Sequence, residues 1–176
     1  MARIVVLGGA GGIGSVAGRA LATFAEVDDL VLADVDLEAA QSAAARLGSG
    51  RASAIAADAD DAASLAAAVR GADVVLNCVG PFYRFGPPIL SAAIAAGADY
   101  VDVCDDLDAT VAMLGLDAAA RSAGVRALVG MGNSPGLANV LVRFCSDHLL
   151  DRVESADIMH VHGGEQDDDA FGEGFR

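Results

Sequence analysis

Residues 3–14 read Arg3-Ile4-Val5-Val6-Leu7-Gly8-Gly9-Ala10-Gly11-Gly12-Ile13-Gly14. An apolar run of strand length enters a G-x-G-x-x-G turn, and the chain then continues with helical period from about Gly12 to Ala25. Each glycine of the pattern has a separate physical task. Gly9 permits the tight turn, Gly11 lets a ligand approach the backbone with no Cβ in the way, and Gly14 allows the helix to pack closely on the strand. A helix that begins here presents unpaired N–H groups and a partial positive charge, which suit the pyrophosphate of a dinucleotide. Gly9, Ala10, Gly11, Gly12, Ile13 and Gly14 are therefore the first candidate cofactor contacts.

Outward from this turn, strand-length apolar runs alternate with alanine-rich helical stretches, the pattern of repeated βα units and a parallel sheet. Strands are expected at Arg3 to Leu7, Leu30 to Ala33, Ala52 to Ala56, Asp73 to Asn77, Asp99 to Val103 and Val125 to Val129. Helices are expected at Leu37 to Leu47, stopped by Gly48, and in the stretch ending near Arg70 and Gly71. Others are expected at Ile89 to Ala96, Ala109 to Ser122 and Leu137 to Leu149. Prolines 87 and 88 read as the opening of the Ile89 helix, where a missing N–H costs nothing. Right-handed crossovers then give an α/β Rossmann fold, doubly wound with strand order 3-2-1-4-5-6. Residues 1–150 form this domain. Residues 151–176 read as the start of a truncated second domain, a strand over Val153 to Val161 followed by a polar glycine- and aspartate-rich loop.

Asp34 closes the second expected strand, twenty residues beyond Gly14, where a carboxylate accepts hydrogen bonds from the adenosine ribose. It would repel a 2′-phosphate, and no arginine follows it closely, so NAD is favoured over NADP. Asp36 reads as a helix cap. Asp58, just past the third strand, is placed either to reach the adenine amino group or to start the next helix. Asn77, Val79, Gly80 and Pro81 follow the fourth strand at the point where strand order reverses and ligands of open α/β sheets bind. They complete the candidate NAD contacts. Cys104-Asp105-Asp106 and Asn133-Ser134-Pro135-Gly136 occupy the matching ends of the fifth and sixth strands. The paired carboxylates Asp105 and Asp106 read either as substrate-amine recognition or proton handling, or as helix caps before Leu107.

Composition removes other classes. All eleven basic residues are arginine, which excludes a Schiff base, a phosphate-binding P-loop lysine and the Tyr-x-x-x-Lys dyad of extended short-chain dehydrogenases. A formal charge of −14 argues against nucleic acid as a partner. The hydrophobic fraction of 54% reflects alanine, and no apolar run approaches the roughly 20 residues that span a bilayer. The short apolar opening is not a signal-peptide core, so a cytoplasmic protein with no membrane partner is expected. Cys78, Cys104 and Cys145 lack paired spacing and read as buried thiols. His160 and His162 share a strand face but lack a third ligand, so no metal is expected.

Taken in order, Val5 to Gly14, Asp73-Val74-Val75-Leu76-Asn77-Cys78-Val79-Gly80-Pro81-Phe82, Ala98-Asp99-Tyr100-Val101-Asp102 and Gly132-Asn133-Ser134-Pro135-Gly136-Leu137 resemble the amino-terminal domain of the saccharopine dehydrogenase-like family. The resemblance implies a two-domain enzyme, often a homodimer, that transfers hydride between a nicotinamide cofactor and a C–N bond of an amino-acid-derived small-molecule substrate. Cys104-Asp105-Asp106 stands where members with saccharopine chemistry tend to carry Gly-Glu, so substrate identity does not transfer and no catalytic acid or base is assigned. A non-catalytic NAD-sensing or interaction module is the alternative from another class.

Overall fold

Ile4, Val5, Val6 and Leu7 are all buried, because a parallel strand with helices on both faces has no solvent side and reads as a continuous apolar run. The computed structural model describes residues 2–159. Its strands are β1 (Ala2–Leu7), β2 (Val27–Asp34), β3 (Ala52–Ala56), β4 (Val74–Asn77), β5 (Asp99–Asp102) and β6 (Ala127–Leu128). They form one parallel sheet in the order β3-β2-β1-β4-β5-β6. The fold is thus an α/β doubly wound Rossmann sheet, with the order expected from the sequence.

Alternation along β1 divides the interior into two cores. Ile4 and Val6 join Leu30 and Leu32 under α1 (Gly12–Leu21) and α2 (Leu37–Arg46). Val5 and Leu7 join Val31, Val75 and Tyr100 under α3 (Ala62–Ala68), α4 (Phe82–Ala96) and α5 (Leu107–Leu114). Each fully buried Val or Leu contributes roughly 1.5–3 kcal/mol relative to exposure, so β1 and β2, which feed both cores, are firmly held. In register, Leu7 stands beside Ala33 of β2 and Asn77 of β4, and Asn77 stands beside Asp102 of β5. The strand ends therefore reach one level, and the crossover direction changes between β1 and β4 at that level.

Four local expectations are corrected. Helix α4 starts at Phe82, not Ile89, and holds Pro87 and Pro88 inside it. Its buried residues Phe82, Gly86, Ile89, Leu90 and Ala93 keep one helical stripe running through the prolines. Packing along that stripe outweighs the backbone hydrogen bonds the two rings remove. The expected helix from Ala109 to Ser122 is two, α5 and α6 (Asp117–Ala123), because Gly115 becomes the cap of α5. β6 is shortened to Ala127–Leu128 at the sheet edge. Beyond α7 (Leu137–His148), residues 153–159 form neither strand nor helix. The remainder of that expected strand and tail, including His160 and His162, lies outside the described residues. Helix α7 buries none of its residues and exposes Leu137, Val140, Leu141 and Phe144. Among the described residues, no helix is long and apolar enough to cross a membrane.

Candidate dinucleotide-binding crevice

The turn after β1 is built by four glycines, one more than the sequence pattern assigned. Gly8 adopts φ +74°, a conformation open to glycine and strained for other residues, and Gly8 N–H and Gly9 N–H both donate to Ala33 O, at 2.9 and 3.1 Å. A Cβ on Gly9 would stand 2.8 Å from Leu32 Cβ, and one on Gly14 would stand 2.0 Å from Gly8 O. Helix α1 thus lies directly on the turn. Gly11 differs from these, because a Cβ there would meet only Gly8 O, at 3.3 Å, and both Gly11 and Ile13 are exposed. The first helical bond of α1 runs from Ser15 N–H to Gly11 O, 2.9 Å. The N–H groups of Gly12, Ile13 and Gly14 therefore have no partner within the helix. This is a cradle of amide donors with open space beside it, and its chemistry fits a diphosphate.

Asp34 is half-buried beside this cradle. Its Oδ2 accepts from Ala10 N–H at 3.0 Å and its Oδ1 from Asp36 N–H at 3.2 Å, so it holds the glycine turn in place and keeps lone pairs for a ligand. Asp36 caps α2, accepting from Ala39 N–H at 2.9 Å. Asp58 does not cap α3, a role taken by Asp61, which accepts from Ala63 N–H at 2.8 Å. Asp58 stays exposed and accepts from Asp60 N–H at 2.9 Å. It remains near Asp34, for the neighbouring Ala57 N–H donates to Asp34 O at 2.8 Å.

The turn and the loop after β4 abut. A Cβ on Gly8 would stand 3.0 Å from Cys78 O and 3.3 Å from Val79 Cγ2. Val79 and Gly80 therefore wall the same crevice, and Gly80 and Pro81 are exposed across a cis peptide bond. Asn77 ends β4, as expected. Its side chain is fully buried, with Oδ1 accepting from Val79 N–H at 2.8 Å and Nδ2 donating to Tyr100 Oη at 3.0 Å. Asn77 shapes the loop that walls the crevice and does not project into it.

Behind Asn77 lies a polar cluster that the sequence reading did not assign. Tyr100 Oη donates to Asp102 Oδ2 at 2.8 Å, and Asp102 Oδ1 accepts from Cys104 N–H at 3.0 Å and Gly130 N–H at 2.7 Å. Asp102 and Tyr100 are both fully buried. The available signal was alternation, since an acid two residues after an aromatic in a short apolar strand must share its inward face. Asp106 caps α5, with Ala109 N–H at 2.9 Å, and Asp105 is exposed. The loop before α7 closes on itself through the parallel bridge of Gly132 and Gly136. A Cβ on Gly136 would stand 2.1 Å from Gly132 O.

Burial, with a further contribution from the Asp102 charge, pushes the Cys78 thiol up to about 12, and burial likewise raises Cys104. Burial, reinforced by Asp102, also holds the Tyr100 phenol far above its usual range. All three stay protonated at neutral pH, so the crevice supplies no thiolate nucleophile. What it offers is backbone donors with the Asp34 carboxylate beside them. Two concavities, 460 Å³ between α2 and β3 and 300 Å³ beside α5, α6 and β6, lie away from this crevice. They bring together none of the residues that could hold a cofactor.

Residues 4–128 match the sequence profile of the saccharopine dehydrogenase NADP binding domain. A carboxyaminopropylagmatine dehydrogenase of Synechocystis is 27% identical over 172 residues, covering 93% of this chain and 42% of that protein. A trans-acting enoyl reductase of Mycobacterium tuberculosis is 43% identical over 53 residues, covering 30% of this chain and 13% of its own length. Among solved structures, the apo saccharopine dehydrogenase (L-Glu forming) of Saccharomyces cerevisiae superposes with a TM-score of 0.70 at 24% identity, over 84% of this chain and 31% of that one. The chain therefore spans less than half the length of these relatives.

Proposed function

The chain belongs to the saccharopine dehydrogenase NADP-binding domain family, and from that premise we propose that it is the cofactor domain of an NAD(P)-dependent oxidoreductase. Hydride transfer at a C–N bond of an amino-acid-derived small-molecule substrate is the reaction we assign to the whole protein. The observation that carries the reading is the cradle of Gly11 to Gly14, open on its outer side and flanked by Asp34.

In this reading the amides of Gly12 and Ile13 bind the diphosphate, the α1 dipole adds a favourable field, and Asp34 accepts from the adenosine ribose. Val79, Gly80 and Pro81 wall the path toward the nicotinamide. Such a cofactor supplies the hydride chemistry, and the protein's part is to orient it and exclude water. Asp105, exposed after β5, is the carboxylate we assign to the substrate's amine, because Asp106 is committed to capping α5.

The family takes its name from NADP, yet Asp34 favours NAD(H). A 2′-phosphate on the ribose would bring a second negative charge against its carboxylate, and Asp36 and Asp58 add to the same field. Titration of NADH and NADPH into the parent and Asp34→Ala tests this. The parent should hold NADH about tenfold more tightly than NADPH, and the variant should lose that preference. Equal binding of the two by the parent refutes the NAD assignment alone. Binding of neither refutes the oxidoreductase reading.

A further inference from the structure

Asp102 is a carboxylate at the carboxyl end of β5, fully buried, and its hydrogen-bond donors Tyr100 Oη, Cys104 N–H and Gly130 N–H are all neutral. Burying a carboxylate is costly unless it is fully hydrogen-bonded, and an apolar residue would serve the core alone as well or better. The directions of its hydrogen bonds indicate what it does instead. Donation runs from Val79 N–H to Asn77 Oδ1, from Asn77 Nδ2 to Tyr100 Oη, and from Tyr100 Oη to Asp102 Oδ2. Two backbone amides converge on the other oxygen, from Cys104 in the loop after β5 and from Gly130 in the loop after β6. The Asp102 carbonyl also accepts from Met131 N–H, at 2.8 Å. One buried acid therefore ties together the loops that follow β4, β5 and β6. All three lie on the side of the crevice away from Asp34 and β2, the side that the proposed cofactor orientation gives to the nicotinamide.

Resting on that orientation, we propose that Asp102 is a positioning residue for the nicotinamide half of the cofactor: it sets the mutual spacing of the three loops that receive the ring, and it leaves the adenosine half to the glycine turn and Asp34. The chain of donors makes the arrangement sensitive to single atoms. In Asp102→Asn an NH2 group placed at the Oδ2 position faces the Tyr100 hydroxyl, which already accepts from Asn77. The hydroxyl proton then loses its carboxylate acceptor and is left with Met113 Sδ, at 3.8 Å. Tyr100→Phe cuts the link between Asn77 and Asp102 in a different way, leaving the two backbone amides on the carboxylate.

The test compares NADH with ADP-ribose, which has the same adenosine and diphosphate but no nicotinamide. NADH is followed by its nicotinamide fluorescence, and ADP-ribose by calorimetry. The parent should hold NADH more tightly than ADP-ribose. In both Asp102→Asn and Tyr100→Phe, Kd for ADP-ribose should stay within about twofold of the parent's while Kd for NADH rises about tenfold and the bound fluorescence falls. Should Asp102→Asn not fold, Tyr100→Phe decides alone. Parallel losses for both ligands, no loss for either, or a parent indifferent to the nicotinamide overturns the positioning role and leaves the cofactor reading standing. A parent that binds neither ligand overturns both. The pair NADPH and 2′-phospho-ADP-ribose replaces the first pair if the parent prefers the phosphorylated cofactor.

Discussion

Gly11 and Gly14 stand three positions apart in one motif, yet their surroundings assign them opposite vulnerabilities. A methyl on Gly14 would collide with Gly8 O at 2.0 Å, a backbone atom fixed by the turn, so relief requires α1 to lift from the sheet. Gly14→Ala should lower stability by about 1–3 kcal/mol. At Gly11, φ is −69° and the only neighbour of an added Cβ is Gly8 O at 3.3 Å. Gly11→Ala should change stability by less than about 1 kcal/mol yet weaken NADH binding about tenfold or more, because the methyl occupies the ligand's approach. Urea unfolding and NADH titration of the two variants check the pair. A Gly11→Ala chain that binds NADH like the parent would remove the cradle from the binding site. The open space at Gly11 and the close packing at Gly14 were legible in the sequence because they depend on the spacing of glycines within one turn. That of Gly8 was not, since a doublet at positions 8 and 9 leaves open which member takes the positive φ. The inward turn of the Asn77 side chain was not legible for a related reason: position at a strand end does not fix which way a side chain turns, and the partner that draws it inward, Tyr100, is 23 residues away.

At the scale of elements, period and punctuation compete, and α4 is where punctuation misled. Prolines 87 and 88 read as a start because a helix start tolerates a missing N–H, while the stripe from Phe82 to Ala93 carried the contrary signal. β6 shows the reverse error. Its apolar run is longer than the two residues that pair, Ala127 and Leu128, because an edge strand is limited by its one neighbour. Part of its attachment comes from Asp99 at the start of β5, which accepts from Arg126 N–H at 2.8 Å and pairs with the Arg126 guanidinium. The hydrogen bonds from Arg126 hold the Asp99 carboxyl below its usual range. A folded pKa below the unfolded one stabilises the fold above the unfolded value, roughly 3.9. That contribution is lost as pH falls through the folded value. Arg126→Ala should therefore lower the urea midpoint at neutral pH, and the gap from the parent should close as pH drops below about 3.9. Midpoints measured across that window decide it, and a gap independent of pH would mean that the arginine acts through packing.

For the whole molecule, the strand order was readable because alternating βα units with right-handed crossovers leave few arrangements. Its electrostatics carry a separate consequence. The chain bears a formal charge of −14, and several of its arginines are already paired internally, Arg84 with Asp60 and Arg121 with Asp117 among them. The proposed site attracts a diphosphate through backbone amides, whose field is short-ranged, while the surrounding carboxylates repel an anionic cofactor at longer range. The Debye length falls from about 30 Å at 0.01 M salt to about 8 Å at 0.15 M, which screens the long-range repulsion and leaves contact hydrogen bonds largely intact. Association of NADH should accordingly quicken as sodium chloride rises across this interval, while the dissociation rate changes little. Stopped-flow nicotinamide fluorescence on the parent chain measures both rates. Slower association at higher salt would show that cations, and not amides, draw the diphosphate in, and would shift attention from the glycine turn to the arginines.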